Sequence, residues 1–314
     1  MTSSIFERHP KLTLCGVVIT LSLATVCGLE KIAQSFGLGK VVVYETSPVY
    51  GYRPIPNQDA SRNKNTVLRF NNLGLRADTD WDLTQPQNKI LFLGDSVTYG
   101  GSYIANSELF STIAIKNLKN WQSANAGVNA WGVLNVHALV KQMDFLPADV
   151  YVSVFPEGDF YRGLMRIGGQ PFWSQTPKYA LEELWQYLAY KVNLKKTWSQ
   201  TQTSLSKSSQ TRAVELAALS IKDLNTYFDN HQKKHLLYIS PSRSQMQGKT
   251  TINTEIKQAL KKYNIEVVYI KDKLEERNIE NIDALFHDEI HLTKAGHRVW
   301  GDIIANDIAK ITSS

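Results

Sequence analysis

The sequence predicts an α/β protein in which a five-stranded parallel sheet lies between two helical layers, preceded by a transmembrane helix. Short apolar runs alternate with helical segments from residue 89 onward, which is typical of parallel strands joined by helices. An uncharged apolar stretch at residues 12–29 predicts the transmembrane helix. A Gly-Asp-Ser sequence follows the first apolar run, at residues 94–96, and marks the end of the first strand.

The predicted strands and helices of this domain follow one another without an internal repeat. The strands are expected at residues 90–93, in the segment 123–132, and at 149–155, 235–240 and 265–270. The helices are expected at residues 106–119, 133–145, 180–194, 212–232, 253–263 and 294–311. A segment rich in Ser, Thr and Gln, at residues 197–211, predicts an exposed loop between two of these helices.

Composition narrows the class of protein and the kinds of site. The chain has 314 residues, 43% of them hydrophobic, so it can bury a large core. Its net charge of +6 is compatible with anionic glycans, lipid headgroups or nucleic acid. We expect no nucleic-acid partner, because the sequence contains no Lys/Arg run, RNA-binding motif or zinc spacing. The two cysteines, Cys15 and Cys27, lie in the apolar stretch, which excludes a disulfide framework and a cysteine nucleophile in the remaining chain.

Residues 12–29 predict a signal anchor that follows a short tail at residues 1–11. A helix of this length spans roughly 27 Å, just enough for the hydrocarbon core of a bilayer. Arg8 and Lys11 give a slight positive bias on the N-terminal side. A cleaved signal peptide, or a lipoprotein signal ending at Cys27, are alternatives. All three place the remaining chain outside the cytoplasm, in the periplasm or the exterior.

Residues 41–88 differ in character from the domain that follows at residues 89–314. They contain a strand-like VVVYE run, a proline-rich irregular stretch and a segment that predicts a hairpin near Gly74. We expect a strap that lies on the following domain. Arg76 in this strap is either at the rim of the active site or a surface arginine in a turn.

The segment KILFLGDSVTYGG, residues 89–101, contains the candidate nucleophile. A buried strand that stops at Gly94 displays the next side chains at the carboxyl edge of the sheet, where α/β proteins bind ligands. Asp95 or Ser96 could instead be an ordinary helix N-cap. Near the other end of the chain, Asp288 and His291 form an Asp-x-x-His sequence. Together with Ser96 they make a Ser/His/Asp set, in which a weak serine nucleophile has a base and an orienting acid.

These two blocks, GDSVTYG and DEIH-LTKAGH, resemble the first and last blocks of the SGNH (GDSL-type) hydrolases, over roughly residues 88–312. The strap resembles a segment of the membrane-anchored members. The resemblance implies a flavodoxin-like fold with Ser96 as nucleophile, His291 as base and Asp288 as its partner. Asp288 would face His291 if the segment forms a helical turn.

The resemblance also implies three donors to the oxyanion: the amide of the nucleophile, a glycine amide in the second block and an Asn side chain in the third. In NAGVNAWG the glycine position falls on Ala130, and Asn129 is a possible substitute donor. In FPEGDFYRG the Asn position is Gly158, so that donor is missing. The residues expected to line the substrate site are Asp95, Gly127, Gly158, Asp159 and Arg76.

The sequence therefore predicts a serine esterase that transfers an acyl group from an ester to Ser96 and then to water. Family and location suggest acetyl or other short acyl groups on a cell-envelope carbohydrate or lipid, with no metal or organic cofactor. An O-acyltransferase acting on an envelope polysaccharide is one alternative, because the same triad would serve. A catalytically weak polysaccharide-binding relative is the other, because the third-block Asn is missing.

Overall fold

The computed structural model describes residues 8–63, 66–82, 84, 87–142, 147–165, 172–198, 207–277, 279 and 281–312. Most of the loop predicted at residues 197–211 lies outside the described residues, and so does the end of the helix predicted at 133–145.

Nine strands and ten α-helices make up the described part of the chain. The strands are β1 Tyr44–Ser47, β2 Gly51–Pro54, β3 Gln58–Asn63, β4 Thr66–Phe70, β5 Asn88–Gly94, β6 Trp121–Asn125, β7 Val150–Pro156, β8 Lys234–Ser240 and β9 Val268–Tyr269. The helices are α1 Pro10–Ser35, α2 Ser96–Tyr99, α3 Phe110–Ile113, α4 Val133–Gln142, α5 Ala180–Trp198, α6 Lys207–Asn230, α7 Arg243–Met246, α8 Thr254–Lys262, α9 Ile270–Glu275 and α10 Lys294–Thr312. Short 3₁₀ turns occupy Asn106–Glu108, Glu157–Phe160 and Asp283–Leu285.

Strands β5 to β9 form one parallel sheet in the order β6-β5-β7-β8-β9. Counted within this sheet the order is 2-1-3-4-5, which is the flavodoxin-like arrangement. The predicted five-stranded parallel sheet is confirmed. The last strand is shorter than expected, because Ile270 already begins helix α9. The helix predicted at 106–119 is interrupted, because Leu109 adopts an extended conformation.

Alternating side chains of the sheet build a core on each face. Leu91 and Leu93 of β5 point into one core, which they share with helices α4, α6 and α8. Ile90 and Phe92 point into the other, which they share with α3, α9 and α10. Successive side chains of a strand point to opposite faces of the sheet, so one apolar run such as Ile90–Leu93 contributes side chains to both cores. The predicted three-layer architecture is confirmed.

The segment between the apolar helix and the sheet forms two antiparallel hairpins, β1–β2 and β3–β4. Residue 76 then forms backbone bridges to Phe70 on one side and to Asn125 of β6 on the other. The segment therefore continues the sheet at its β6 edge. Aromatic side chains such as Tyr52 and Trp81 are buried in the core that contains α4, so the hairpins pack on the sheet domain.

Helix α1 has 26 residues, and its most apolar 18-residue stretch is not buried in the protein. It is the one helix of the described chain that is long and apolar enough to cross a membrane. Helices of this kind serve as membrane anchors or signal sequences.

A buried histidine makes the stability of the fold sensitive to acid. His297 of α10 is fully buried; its Nδ1 accepts the amide of Phe110 at 3.2 Å, and its ring stacks on Phe110. Burial, followed by the charge of Arg76, lowers the pKa of His297 from 6.5 to about 3. Between these values the unfolded chain binds a proton that the native protein does not, so stability falls as the pH drops.

This histidine is expected to remove up to about 1.4 kcal/mol of stability for each pH unit below 6.5, until the pH approaches its native pKa. We expect His297→Gln to show a flatter dependence of unfolding free energy on pH between 6.5 and 4 than the wild type. His231→Gln, at an exposed site, is the control and should keep the wild-type slope. Equal slopes for His297→Gln and wild type would contradict this assignment.

Candidate active site

Ser96 stands where β5 ends and turns into the short helix α2. A Cβ atom on Gly94 would lie 2.2 Å from Thr98 Oγ1 and 2.4 Å from the Val154 carbonyl oxygen, so this sharp turn requires glycine. Asp95 is the N-cap of α2, since its Oδ1 accepts the Val97 amide at 2.8 Å. The predicted cap and the predicted nucleophile are therefore neighbours: Asp95 is buried and Ser96 is partly exposed.

The structure brings Ser96, His291 and Asp288 together in one hydrogen-bonded chain. His291 Nε2 lies 2.8 Å from Ser96 Oγ, across 195 positions of sequence. His291 Nδ1 lies 2.7 Å from Asp288 Oδ2. These distances match those expected for a nucleophile, its base and the group that orients the base. The side chains of His291 and Asp288 are 28% and 50% exposed, so the site opens to solvent.

The turn that carries His291 differs from the predicted helical turn. Residues 287–291 are non-helical, and Asp288 Oδ1 accepts the amides of Ile290 and His291, each at 2.9 Å. The His287 amide donates to the His291 carbonyl at 2.7 Å. The expectation of a helical turn is wrong because the Asp288 side chain forms an Asx-type turn with the backbone. This turn still places both carboxylate and imidazole on one side.

The Asp288 carboxylate is held in its ionised form. Burial raises the pKa of Asp288, but hydrogen bonds from the amide and the imidazole of His291 and from the Ile290 amide outweigh burial and lower the pKa below its ordinary value. An ionised Asp288 favours the tautomer of His291 that carries its proton on Nδ1. Nε2 then faces Ser96 Oγ as an acceptor.

The second-block loop retains a glycine-like backbone at Ala130. Ala130 has a φ of +63°, in the left-handed region, which costs a residue with a Cβ about 1–2 kcal/mol. The Asn129 carbonyl is held by the Tyr52 hydroxyl at 2.6 Å. Among the described residues we find no acceptor for the backbone amides of Ser96 and Ala130. Both amides are therefore available as donors to a ligand. Asn129 is partly exposed, and its side chain hydrogen-bonds to Tyr44, so the prediction that it substitutes for the missing donor is not supported by its contacts.

Two of the predicted substrate-lining acids lie beneath the site. Asp95 and Asp159 are fully buried, and the Arg162 guanidinium bridges them. Arg162 Nη1 lies 2.6 Å from Asp159 Oδ1 and 3.3 Å from Asp95 Oδ2, and it also donates to the Trp131 carbonyl at 2.6 Å. The expectation that Asp95 and Asp159 contact substrate is thus corrected: they tie the nucleophile turn to the second and third blocks.

Burial, followed by the negative charge of Asp95, raises the pKa of Asp159 well above its ordinary value, and the Arg162 cation opposes this shift. Sequence reasoning missed Arg162. Its signal was its position three residues after Asp159 in the third block, which places both on one side of a helical turn.

Of the two glycines predicted to line the substrate site, one is buried and the other is exposed. Gly127 is buried against α2, where its amide donates to Asn125 Oδ1 at 2.8 Å and a Cβ would lie 2.4 Å from the Tyr99 nitrogen. It is therefore a packing position and cannot contact substrate. Gly158 is exposed, and no atom lies within 4 Å of the position that a Cβ would take there. Gly158 leaves open space where the family's Asn would stand.

Arg76 is neither at the rim nor on the surface, so both predicted placements are wrong. Its backbone bridges two strands, and its side chain enters the protein, where it is 2% exposed. The guanidinium donates to the carbonyls of Tyr99, Gly101 and Ile104 and to Asn106 Oδ1. Burial lowers the pKa of Arg76 to about 10, so it remains a cation at neutral pH. Arg76 holds the loop that follows α2.

Within the described residues, no three His, Cys, Asp or Glu side chains come together in a group that could hold a metal ion.

No protein-family model and no curated protein sequence matches the chain. Several solved structures are similar to it. A lipolytic protein of the G-D-S-L family from Veillonella parvula is 14% identical over 70% of this chain and 97% of its own, with a TM-score of 0.42. A lipase/acylhydrolase from Enterococcus faecalis is 15% identical over 71% and 95%, with a TM-score of 0.43. An acetylxylan esterase from Geobacillus stearothermophilus is 14% identical over 70% and 94%, with a TM-score of 0.45.

The strand order of the sheet and the turn after β5 are features of this chain itself, and they agree with the prediction from its first and last blocks. The chain has a flavodoxin-like fold, with a five-stranded parallel sheet between two helical layers.

Proposed function

We propose that the protein is a serine ester hydrolase that uses Ser96, His291 and Asp288. The observation that carries the proposal is the hydrogen-bonded chain from Ser96 Oγ through His291 to Asp288. His291 Nε2 takes the hydroxyl proton as Ser96 Oγ attacks the ester carbonyl carbon. The alcohol leaves with that proton, and an acyl group remains on Ser96. A water molecule, deprotonated by His291, then attacks the acyl-enzyme and releases the acid.

The amides of Ser96 and Ala130 would donate to the oxyanion in both steps. The Asn129 side chain hydrogen-bonds to Tyr44 instead. The third-block Asn is replaced by Gly158, and loss of one such donor typically slows catalysis by about 10² to 10³. Arg162 would act as a positioning residue, because it fixes the Trp131 carbonyl next to Ala130 and the cap of the nucleophile helix. We therefore expect ester hydrolysis to be slower than in an enzyme that has all three oxyanion donors.

Gly158→Asn is expected to accelerate ester hydrolysis by about 10- to 100-fold. This is part of the rate factor of about 10² to 10³ that one oxyanion-hole donor typically supplies. The space around Gly158 is open, so the new side chain fits without displacing a neighbour. The measurement is kcat for p-nitrophenyl acetate with full-length protein in detergent micelles. Gly158→Ala is the matched control. If the Asn variant is no faster than the Ala variant, the third-block position does not face the oxyanion.

The proposed substrates are acetyl or other short acyl esters on a cell-envelope carbohydrate or lipid. Two features support this class. The exposed His291 and Asp288 leave room for a large alcohol part, and α1 would hold the domain at a membrane as an anchor. In this arrangement α1 crosses the membrane once and the domain lies in the periplasm or the exterior.

The test supplies the full-length protein with an acetylated oligosaccharide and an excess of unacetylated acceptor. Free acetate and acetylated acceptor are quantified, and Ser96→Ala is the control. Acetate release that depends on Ser96 supports the hydrolase. Transfer that exceeds release would assign an O-acyltransferase instead, and oligosaccharide binding with neither product would assign a binding protein.

A further inference from the structure

Helix α5, Ala180–Trp198, carries apolar side chains that the rest of the protein leaves uncovered. Trp185 is 72% exposed, Leu188 49% and Val192 56%. Leu184, Leu188 and Val192 are spaced four residues apart, and Trp185 precedes Leu188 by three, so the four side chains share one helix face. Gln186 lies on the opposite face. Monomeric soluble proteins rarely expose such a face, so it indicates a contact with something apolar.

The beginning of α5 is fixed to the end of the apolar helix α1. The Glu30 carboxylate accepts the amides of Ala180 at 2.8 Å and Leu181 at 3.0 Å. The buried Glu183 accepts the amide of Gly39 at 2.6 Å. Glu30 is the first charged residue after the apolar stretch 12–29. If that stretch crosses a bilayer, Glu30 and the first turn of α5 lie where the hydrocarbon core ends.

The composition of α5 matches a helix that lies in the interface between water and lipid. Trp and Tyr residues concentrate at this level of a membrane, because their rings are apolar and their polar atoms can stay wet. Trp185 and Tyr187 are exposed on α5, and Tyr179 is exposed just before it. Lys178 and Lys191 flank these rings. Basic residues beside an apolar face favour anionic lipid headgroups.

The same helix borders the rim of the Ser96 site. Leu184 and Tyr187 of α5, Leu38 after α1, and Tyr103 line a groove of about 290 Å³. Tyr103 stacks on His287 at 4.1 Å and donates to the Leu292 carbonyl at 3.1 Å, so it flanks the turn that carries His291. The uncovered face of α5 and the catalytic turn therefore lie on the two sides of one tyrosine.

We propose that α5 binds the surface of the bilayer that α1 crosses and thereby holds the Ser96 site at the level of the lipid headgroups. This inference rests on the proposed hydrolase and deepens it: the ester would be presented on a membrane-borne molecule. Two observations favour a lipid bilayer over a protein partner. Glu30 links the end of α1 to the start of α5 by hydrogen bonds, and basic residues lie beside the apolar face.

The placement of α5 can be measured without catalysis. In full-length protein with Cys15→Ser and Cys27→Ser, a single cysteine at Leu188→Cys or Gln186→Cys carries an NBD fluorophore. The two positions lie about 160° apart around a helix. In vesicles of phosphatidylcholine and phosphatidylglycerol, we expect the probe at 188 to be quenched by nitroxide lipids and shielded from iodide. The probe at 186 should show the opposite behaviour.

Equal access of iodide to both probes in vesicles would overturn the proposal. Shielding at 188 that appears only at high protein-to-lipid ratios would overturn it too, because a second copy of the chain would then cover the face. Neither outcome depends on enzymatic activity, so a failure of the proposed hydrolase remains distinguishable.

The catalytic consequence has its own test. Acetate release from cholesteryl glucoside peracetate held in the vesicles is compared with hydrolysis of water-soluble p-nitrophenyl acetate. Leu188→Glu should slow the vesicle reaction by about tenfold, the effect of withdrawing one leucine from an apolar environment, and should leave the soluble reaction unchanged. Gln186→Glu should change neither. An unaffected vesicle reaction in Leu188→Glu would contradict the proposal, whereas a wild type inactive on both esters would contradict the proposed hydrolase.

Discussion

Replacing Ser96 with alanine is expected to lower kcat/KM for p-nitrophenyl acetate by at least about 10⁴-fold and to leave the fold intact. The loss is large because no other hydroxyl stands 2.8 Å from His291 Nε2 among the contacts of the described residues. The residual rate should equal what the oxyanion donors and binding alone supply. The side chain is partly exposed at the start of a short helix, so the thermal midpoint should stay within the wild-type range.

His291→Ala should cause a loss of similar size, and the double variant Ser96→Ala/His291→Ala should be no slower than either single variant. Groups that act as one unit are non-additive in this way. Asp288→Asn should lose less, because it removes the orienting charge but keeps the turn. Additive losses in the double variant would show that the two side chains do not act in the same step.

Arg76→Met is expected to destabilise the protein by about 3 to 5 kcal/mol, because several buried acceptors lose their donor at once and each costs about 1 to 3 kcal/mol. The change leaves the carbonyls of Tyr99, Gly101 and Ile104 buried without their donor. These carbonyls belong to the last residue of α2 and the loop after it, so activity should fall together with stability. The measurement is the denaturant midpoint, together with limited proteolysis of the loop.

Arg298→Met is the control for this experiment, because Arg298 is exposed on α10 and should cost less than about 0.5 kcal/mol. Arg76→Lys should remain strongly destabilised, since one ammonium cannot reproduce the fork of donors that a guanidinium supplies. A loss below about 1 kcal/mol in Arg76→Met would contradict the role of Arg76 as a buried clamp.

The sheet and the contact between Ser96, His291 and Asp288 could be predicted because their signals are local. Each buried strand is a short apolar run, and each run is followed by a helical pattern, so the alternation after residue 89 predicts a parallel sheet. Ser96 and His291 stand in blocks with recognisable spacing. Their contact then follows from topology, because the carboxyl ends of the strands share one edge of the sheet.

Arg76 and Arg162 could not be placed in the same way, because their partners are distant in sequence and mostly backbone carbonyls. The residues on either side of Arg76 in the sequence do not indicate that its side chain is buried and donates hydrogen bonds to residues 99–106. The burial of Asp95 and Asp159 also cannot be predicted from sequence, because it depends on the packing of three separate sequence blocks against one another. An acid that caps a helix and an acid that lines a pocket look alike in sequence.

The backbone at Ala130 is a similar case. Sequence identifies an alanine where a glycine is expected, but only the structure shows that it keeps a positive φ of 63°. The turn at Asp288 also depends on a side-chain to backbone hydrogen bond that overrides the helical spacing.

The most direct test of the central claim is covalent labelling of Ser96 by a fluorophosphonate, located by peptide mass spectrometry of the full-length protein. An activated serine beside a histidine displaces the fluoride and forms a phosphonate ester. The account predicts one adduct, on the peptide that contains Ser96, which Ser96→Ala abolishes and His291→Ala strongly slows. A wild-type protein that stays unlabelled, or an adduct on another residue, would contradict it.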